Sequence, residues 1–134
     1  MNDKIKVITA FAYDDVRYEA HGGMSFMGTV TDGQFEFADF PVRTRLGISI
    51  ICDISQTGEA TLFPKLRYNG EIKWAIELDV ELDAESTGVI LPICHTYASF
   101  EEPGSLELLL GVDTDDEGDL AVVKTWSVSK YSDD

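Results

Sequence analysis

Between Ile72 and Leu82 apolar and polar residues alternate almost without error, with Ile72, Trp74, Ile76, Leu78, Val80 and Leu82 set between Lys73, Ala75, Glu77, Asp79 and Glu81. A period of two sends successive side chains to opposite faces. The pattern therefore predicts one long strand with a buried face and a wet, acidic face, around which the rest of the chain is arranged. No stretch carries a helical stripe of comparable strength.

The turn before this strand follows from the same alternation. A two-residue loop at Asn69-Gly70 would set Leu66 against Lys73 and Leu62 against Glu77, placing apolar side chains on the wet face. A three-residue loop of Tyr68, Asn69 and Gly70 sets Leu66 against Ile72, Pro64 against Trp74 and Leu62 against Ile76, and is the register expected. It also places Arg67 across from Glu71 and Lys65 across from Lys73.

Other extended runs flank this hairpin. Ile5, Val7, Thr9 and Phe11 share one face of an opening strand, Lys4 to Ala12, and the segment Asp14 to Ala20 breaks the pattern as a loop or single helical turn. Asp32-Gly33 predicts a tight turn joining Met24–Val30 to Phe35–Ala38, with Val30 facing Phe35 and Gly28 beneath Phe37. Leu46, Ile48, Ile50, Cys52 and Ile54 define the next strand, with Ser49 and Asp53 on its other face. Val89–Tyr97 is apolar almost throughout, yet Pro92 has no N–H to donate, so an edge or a bulge is expected there. Leu106–Val112, an acidic loop from Asp113 to Asp119, and Leu120–Ser129 complete the chain.

About eight or nine short strands separated by turns predict an all-β fold, an antiparallel β-sandwich, rather than a uniform barrel meander. Its 134 residues are expected to form one domain, residues 1–134, large enough for its own core. Cys52 and Cys94 lie in apolar runs and read as buried free thiols, which favours a reducing compartment. The stretch from Met1 to Lys4 lacks the regions of a secretory leader, and no apolar run reaches the length of a membrane span. A cytoplasmic protein is expected.

Charge changes this picture most. There are 25 acidic residues against 10 basic ones, a net charge of -15, on a chain that is 44% hydrophobic. Such a surface repels phosphate backbones and anionic lipid, so direct nucleic-acid or membrane binding is disfavoured, whereas cations and basic protein surfaces are attracted.

Asp14-Asp15-Val16-Arg17-Tyr18-Glu19, followed by Gly23-Met24-Ser25-Phe26-Met27-Gly28, resembles the opening of a family of small uncharacterised bacterial and phage proteins. The pairs Phe40-Pro41 and Pro103-Gly104 fall about where that family carries similar ones. This chain departs from the pattern at Met24, where no basic residue intervenes after Gly23, and at Tyr13, where the family often has cysteine. The resemblance implies a β-rich fold and no particular activity.

The chemistry-bearing residues are few. Asp113, Asp115 and Glu117, before Gly118, imitate the first half of a calcium loop, but Lys124 stands where its closing glutamate belongs. Calcium could still be held weakly if the loops around Glu59, Asp83–Glu85 and Asp113–Asp119 share one end of the sandwich. Cys94 and His95 are neighbours in a strand and so face opposite ways, and His21 has no cysteine or second histidine near it in sequence. Asp14, Asp15 and Glu19 with Arg17 could act as paired carboxylates and an anion clamp, or form a structural ion pair. An enzyme is not expected. The first expectation is a non-enzymatic protein-interaction module acting through Glu77, Asp79 and Glu81 with Asp113, Asp115, Asp116, Glu117 and Asp119. Two others stand beside it: a phage-type decoy that imitates nucleic-acid charge to block a basic groove on a host defence protein, and a calcium- or small-ligand-binding sandwich.

Overall fold

A computed structural model of the chain describes residues 4–18, 24–27, 30 and 33–131, with backbone alone at 15–18, 24–27 and Glu117. It contains eleven strands: β1 (Ile5–Tyr13), β2 (Asp15–Tyr18), β3 (Met24–Met27), β4 (Gln34–Phe37), β5 (Val42–Ile54), β6 (Gly58–Tyr68), β7 (Glu71–Ala75), β8 (Leu78–Leu82), β9 (Ser86–Phe100), β10 (Gly104–Val112) and β11 (Ala121–Lys130). Among the described residues the only helical element is a 3-10 turn at Glu117–Asp119, and no helix is long and apolar enough to cross a membrane. The all-β class and the sandwich follow from the alternation along these strands.

One sheet has the order β1-β5-β9 and the other β4-β11-β10-β6-β7, with β8 also on β6, while β2 and β3 pair with each other. β5 is the hub of the smaller sheet. Its Leu46, Ile48, Ile50 and Cys52 are fully buried, facing Leu62, Leu66, Leu106 and Leu108 of the larger sheet across the core. Phe35, Phe37, Phe40, Phe100, Tyr68 and Trp126 form a chain of ring contacts at one end of the core, the closest being Tyr68 to Phe100 at 4.9 Å between centroids.

The stretch Ile72–Leu82 is an edge, and it is two strands rather than one. β7 and β8 share one register on β6, with Leu66 opposite Trp74 and Leu62 opposite Leu78, but the ladder is interrupted between them. Pro64 explains the break: its carbonyl accepts the Ile76 N–H, but it has no N–H to return.

The hairpin register also differs from expectation. Tyr68 lies opposite Glu71, so the loop is the two-residue Asn69-Gly70, both at positive φ (51° and 84°) as the tight primed turn requires. A bulge at Lys73 then returns Leu66 to an apolar partner, Trp74, and turns Ile72 to the outer face opposite Arg67. Lys65 consequently faces Ala75, and Arg67 forms its ion pair with Glu107 rather than Glu71.

Three further expectations are corrected. Asp15–Tyr18, read as a loop or helical turn, is a strand paired with Met24–Met27. β4 does not pair with that segment but runs parallel to β11, Phe35 opposite Val128, so the larger sheet is mixed. Gly28 and Asp32, which the expected hairpin used, lie outside the described residues, and Val30 instead bridges Ala12. In β1 a bulge at Ile8 breaks the expected shared face, so that Ile5 and Val7, then Ala10 and Ala12, point into the core. At Pro92 the expected irregularity is present: β9 is an edge strand, with a bulge at Ile93.

Candidate functional site

Thr61 is the centre of the acidic cluster. Its neighbours Ala60 and Leu62 are buried in the core, so the alternation of β6 sends the Thr61 side chain to the outer face of the larger sheet. There its Oγ1 donates to Asp79 Oδ1 at 2.9 Å, while its backbone N–H donates to Asp113 Oδ1 at 2.9 Å. Asp113 N returns a bond to Thr61 O at 2.7 Å. Asp113 adopts φ 58°, a left-handed conformation that aspartate tolerates better than most residues, and this turns the chain out of β10 into the loop.

Two lysines from distant parts of the chain fix this loop. Lys4 Nζ lies 3.1 Å from Asp113 Oδ2 and donates to Glu59 O at 2.9 Å, while its own carbonyl accepts from Ser55 N at 2.9 Å. It thereby ties the start of β1, in one sheet, to the end of the other. Lys65 Nζ lies 3.0 Å from Asp115 Oδ1. The loop closes over Gly111, where a Cβ would stand 2.1 Å from Thr114 O. Within it Asp119 N donates to Asp116 O at 2.8 Å.

Asp79, Glu81, Asp113 and Asp115 are thus brought to one outer face, joined there by Glu59, directly opposite Glu81. Two carboxylates facing each other across a ladder oppose folding. Asp116 and Asp119 are exposed on the loop, Glu77 is exposed in the gap between β7 and β8, and the Glu117 side chain lies outside the described residues. The loops at Glu59, Asp83–Glu85 and Asp113 do share an end, since Gly58 lies opposite Leu82 and Asp113 is bonded to Thr61. Of the expected calcium donors, Asp113 and Asp115 are held by different lysines, and among the described residues, which leave out the Glu117 side chain, no three carboxylate, histidine or cysteine groups are placed to share a cation.

Of the remaining candidates, those whose side chains are described lie apart from this face. Asp14 Oδ1 lies 3.6 Å from Arg45 Nε on β5; Asp15 and Arg17 are on β2, with side chains outside the described residues, as are Glu19 and His21 altogether. Cys52 and Cys94 are free and buried. Burial pushes the Cys94 thiol up to about 12, and burial, with Asp53 adding to it, raises that of Cys52, so neither is poised as a nucleophile. His95 is exposed on the opposite face from Cys94. The Glu107 carboxyl is shifted: the hydrogen bonds from Arg67, 2.8 Å and 3.1 Å, hold it below the usual range, and the charge of Arg67 adds to this while burial opposes it. The Tyr68 hydroxyl, which donates to Glu102 O, is raised by burial and by the charge of Glu102.

Sequence reasoning found the acids but not their organisers. Thr61, Lys4 and Lys65 carry no local signal, because each acts on a residue distant in sequence. Compared with protein-family models the chain matches none, and no curated protein matches it.

Proposed function

We propose that the protein is a non-enzymatic, acidic interaction module that presents the outer face of its larger sheet to a basic surface on a partner protein. The observation that carries this reading is the pairing of Glu59 with Glu81 beside Asp79 and the Asp113–Asp119 loop. A like-charge pair on a strand ladder costs stability, and a positively charged partner would relieve it. Association with such a partner is steered by long-range charge, so its affinity should fall roughly tenfold or more as salt rises from about 0.05 to 0.5 M. Binding that is insensitive to salt, or unchanged in a Glu81→Gln, Asp79→Asn double variant, would overturn the assignment.

A narrower form of the same reading is the nucleic-acid decoy. It is favoured by the strand spacing of Asp79 and Glu81, whose same-face carboxylates repeat at about 6.7 Å, twice the axial rise of about 3.4 Å per phosphate in one DNA strand. If it holds, DNA or RNA competes with this protein for the partner. Simultaneous binding of both would leave a partner of another kind.

A further inference from the structure

The two sheets are unequal in width, with three strands in one and five side-by-side positions in the other. The overhang falls on β7 and β8. Their core-facing stripe is Trp74, Ile76, Leu78, Val80 and Leu82, yet only Leu82 is fully covered: Trp74, Leu78 and Val80 are half-buried, and Ile76 is 39% exposed. The cleanest apolar periodicity in the sequence is therefore left partly wet.

What is missing is a neighbour for β9. On the side away from β5, β9 has no strand partner among the described residues. A groove of about 480 Å3 opens there, running along Thr96–Phe100 with Leu66, Tyr68 and Trp74 lining it. Its rim carries Glu71, Glu101 and Glu102 against one lysine, Lys73, which lies 3.1 Å from Glu71. An open strand edge, an apolar lining and an acidic rim meet along one line.

We infer that this groove receives an extended segment of the basic partner, which adds to the free edge of β9 as a fourth strand of the smaller sheet. The inference rests on the interaction-module reading and names the second contact that the partner makes. Main-chain hydrogen bonds to β9 supply affinity, and the period of two supplies specificity: apolar side chains enter against Trp74 and Leu66, and alternate lysines or arginines stay outside, near the rim glutamates. A second copy of this chain is a poor occupant, because each copy carries a net charge of -15.

The test uses the full chain and synthetic eight-residue peptides that alternate valine with lysine, compared with the same peptides carrying glutamate for lysine. The lysine series should bind saturably, at least tenfold more tightly than the glutamate series, and slow hydrogen exchange of β9 amides between residues 96 and 100 by tenfold or more. Trp74→Lys, at a half-buried position that lines the groove, should weaken binding at least tenfold with the fold intact by circular dichroism, whereas Val122→Lys, exposed elsewhere, should not. Protection that appears on another edge, equal binding of the two series, or no saturable binding at millimolar peptide would overturn the inference. The two proposals fail separately. A native partner that is released by salt and by the Glu81→Gln, Asp79→Asn variant, but is indifferent to Trp74→Lys, would leave the acidic face standing and remove strand addition.

Discussion

Gly47 and Gly70 are glycines for opposite reasons, and substitution by alanine should separate them. Gly70 has open space around the missing Cβ but φ of 84°, so Gly70→Ala costs only backbone strain, about 1–2 kcal/mol. Gly47 has no such φ, but an added Cβ would stand 2.2 Å from Tyr13 Cε2. That ring caps the outer face of β5, its hydroxyl 2.8 Å from the fully buried Ser49 Oγ. Gly47→Ala must displace it, at about 1–3 kcal/mol. Urea unfolding checks both magnitudes, and only Gly47→Ala should alter the near-ultraviolet dichroism of the tyrosines. The place of the Gly70 turn was legible from Asn69-Gly70, but its expected three-residue form gave way to two residues; the Tyr13 cap was not legible, because it depends on a β1–β5 register that no local pattern specifies. Glu107 supplies a pH signature at the same scale. Its folded pKa is depressed, so its contribution to stability is complete above the pKa of an unfolded glutamate and is lost as pH falls through the folded value. The melting-temperature gap between wild type and Glu107→Gln should therefore be constant near neutrality and close below about pH 4.5.

At the scale of elements, alternation identified most strands and failed at their partners. It is a local property, whereas sheet order is decided by contacts far apart in sequence. The parallel pairing of β4 with β11 left no trace in the strand sequences themselves, and the apolar match of Leu66 to Ile72 was overridden when the tight turn and a bulge offered Trp74 instead. Pro64 shows how one residue divides an element that periodicity reads as continuous. Replacing it with valine restores an N–H facing Ile76, which adds one backbone hydrogen bond of about 0.5–1.5 kcal/mol. It also frees the unfolded chain, which offsets about 0.4–1 kcal/mol. The melting temperature of Pro64→Val should thus barely move. Hydrogen exchange is the sensitive measurement: amides of residues 76–78 should slow several-fold as β7 and β8 join, and unchanged exchange there would place the cause of the break elsewhere.

Across the whole molecule, the charge that the sequence displays most openly is arranged against stability. Lys4 and Lys65 neutralise Asp113 and Asp115, but Glu59 and Glu81 face each other. Added salt should therefore raise the melting temperature of the wild type. Glu81→Lys turns the like-charge pair into an attractive one and should stabilise the fold by about 0.2–1 kcal/mol at low salt, a gain that shrinks as salt screens both charges. The same substitution should weaken the basic partner more than tenfold, through loss of attraction and gain of repulsion at one position. Stability and binding would then move in opposite directions in one variant. A Glu81→Lys protein that is more stable and still binds would mean that the carboxylate pair serves solubility alone, and the partner's contact would have to lie on another surface.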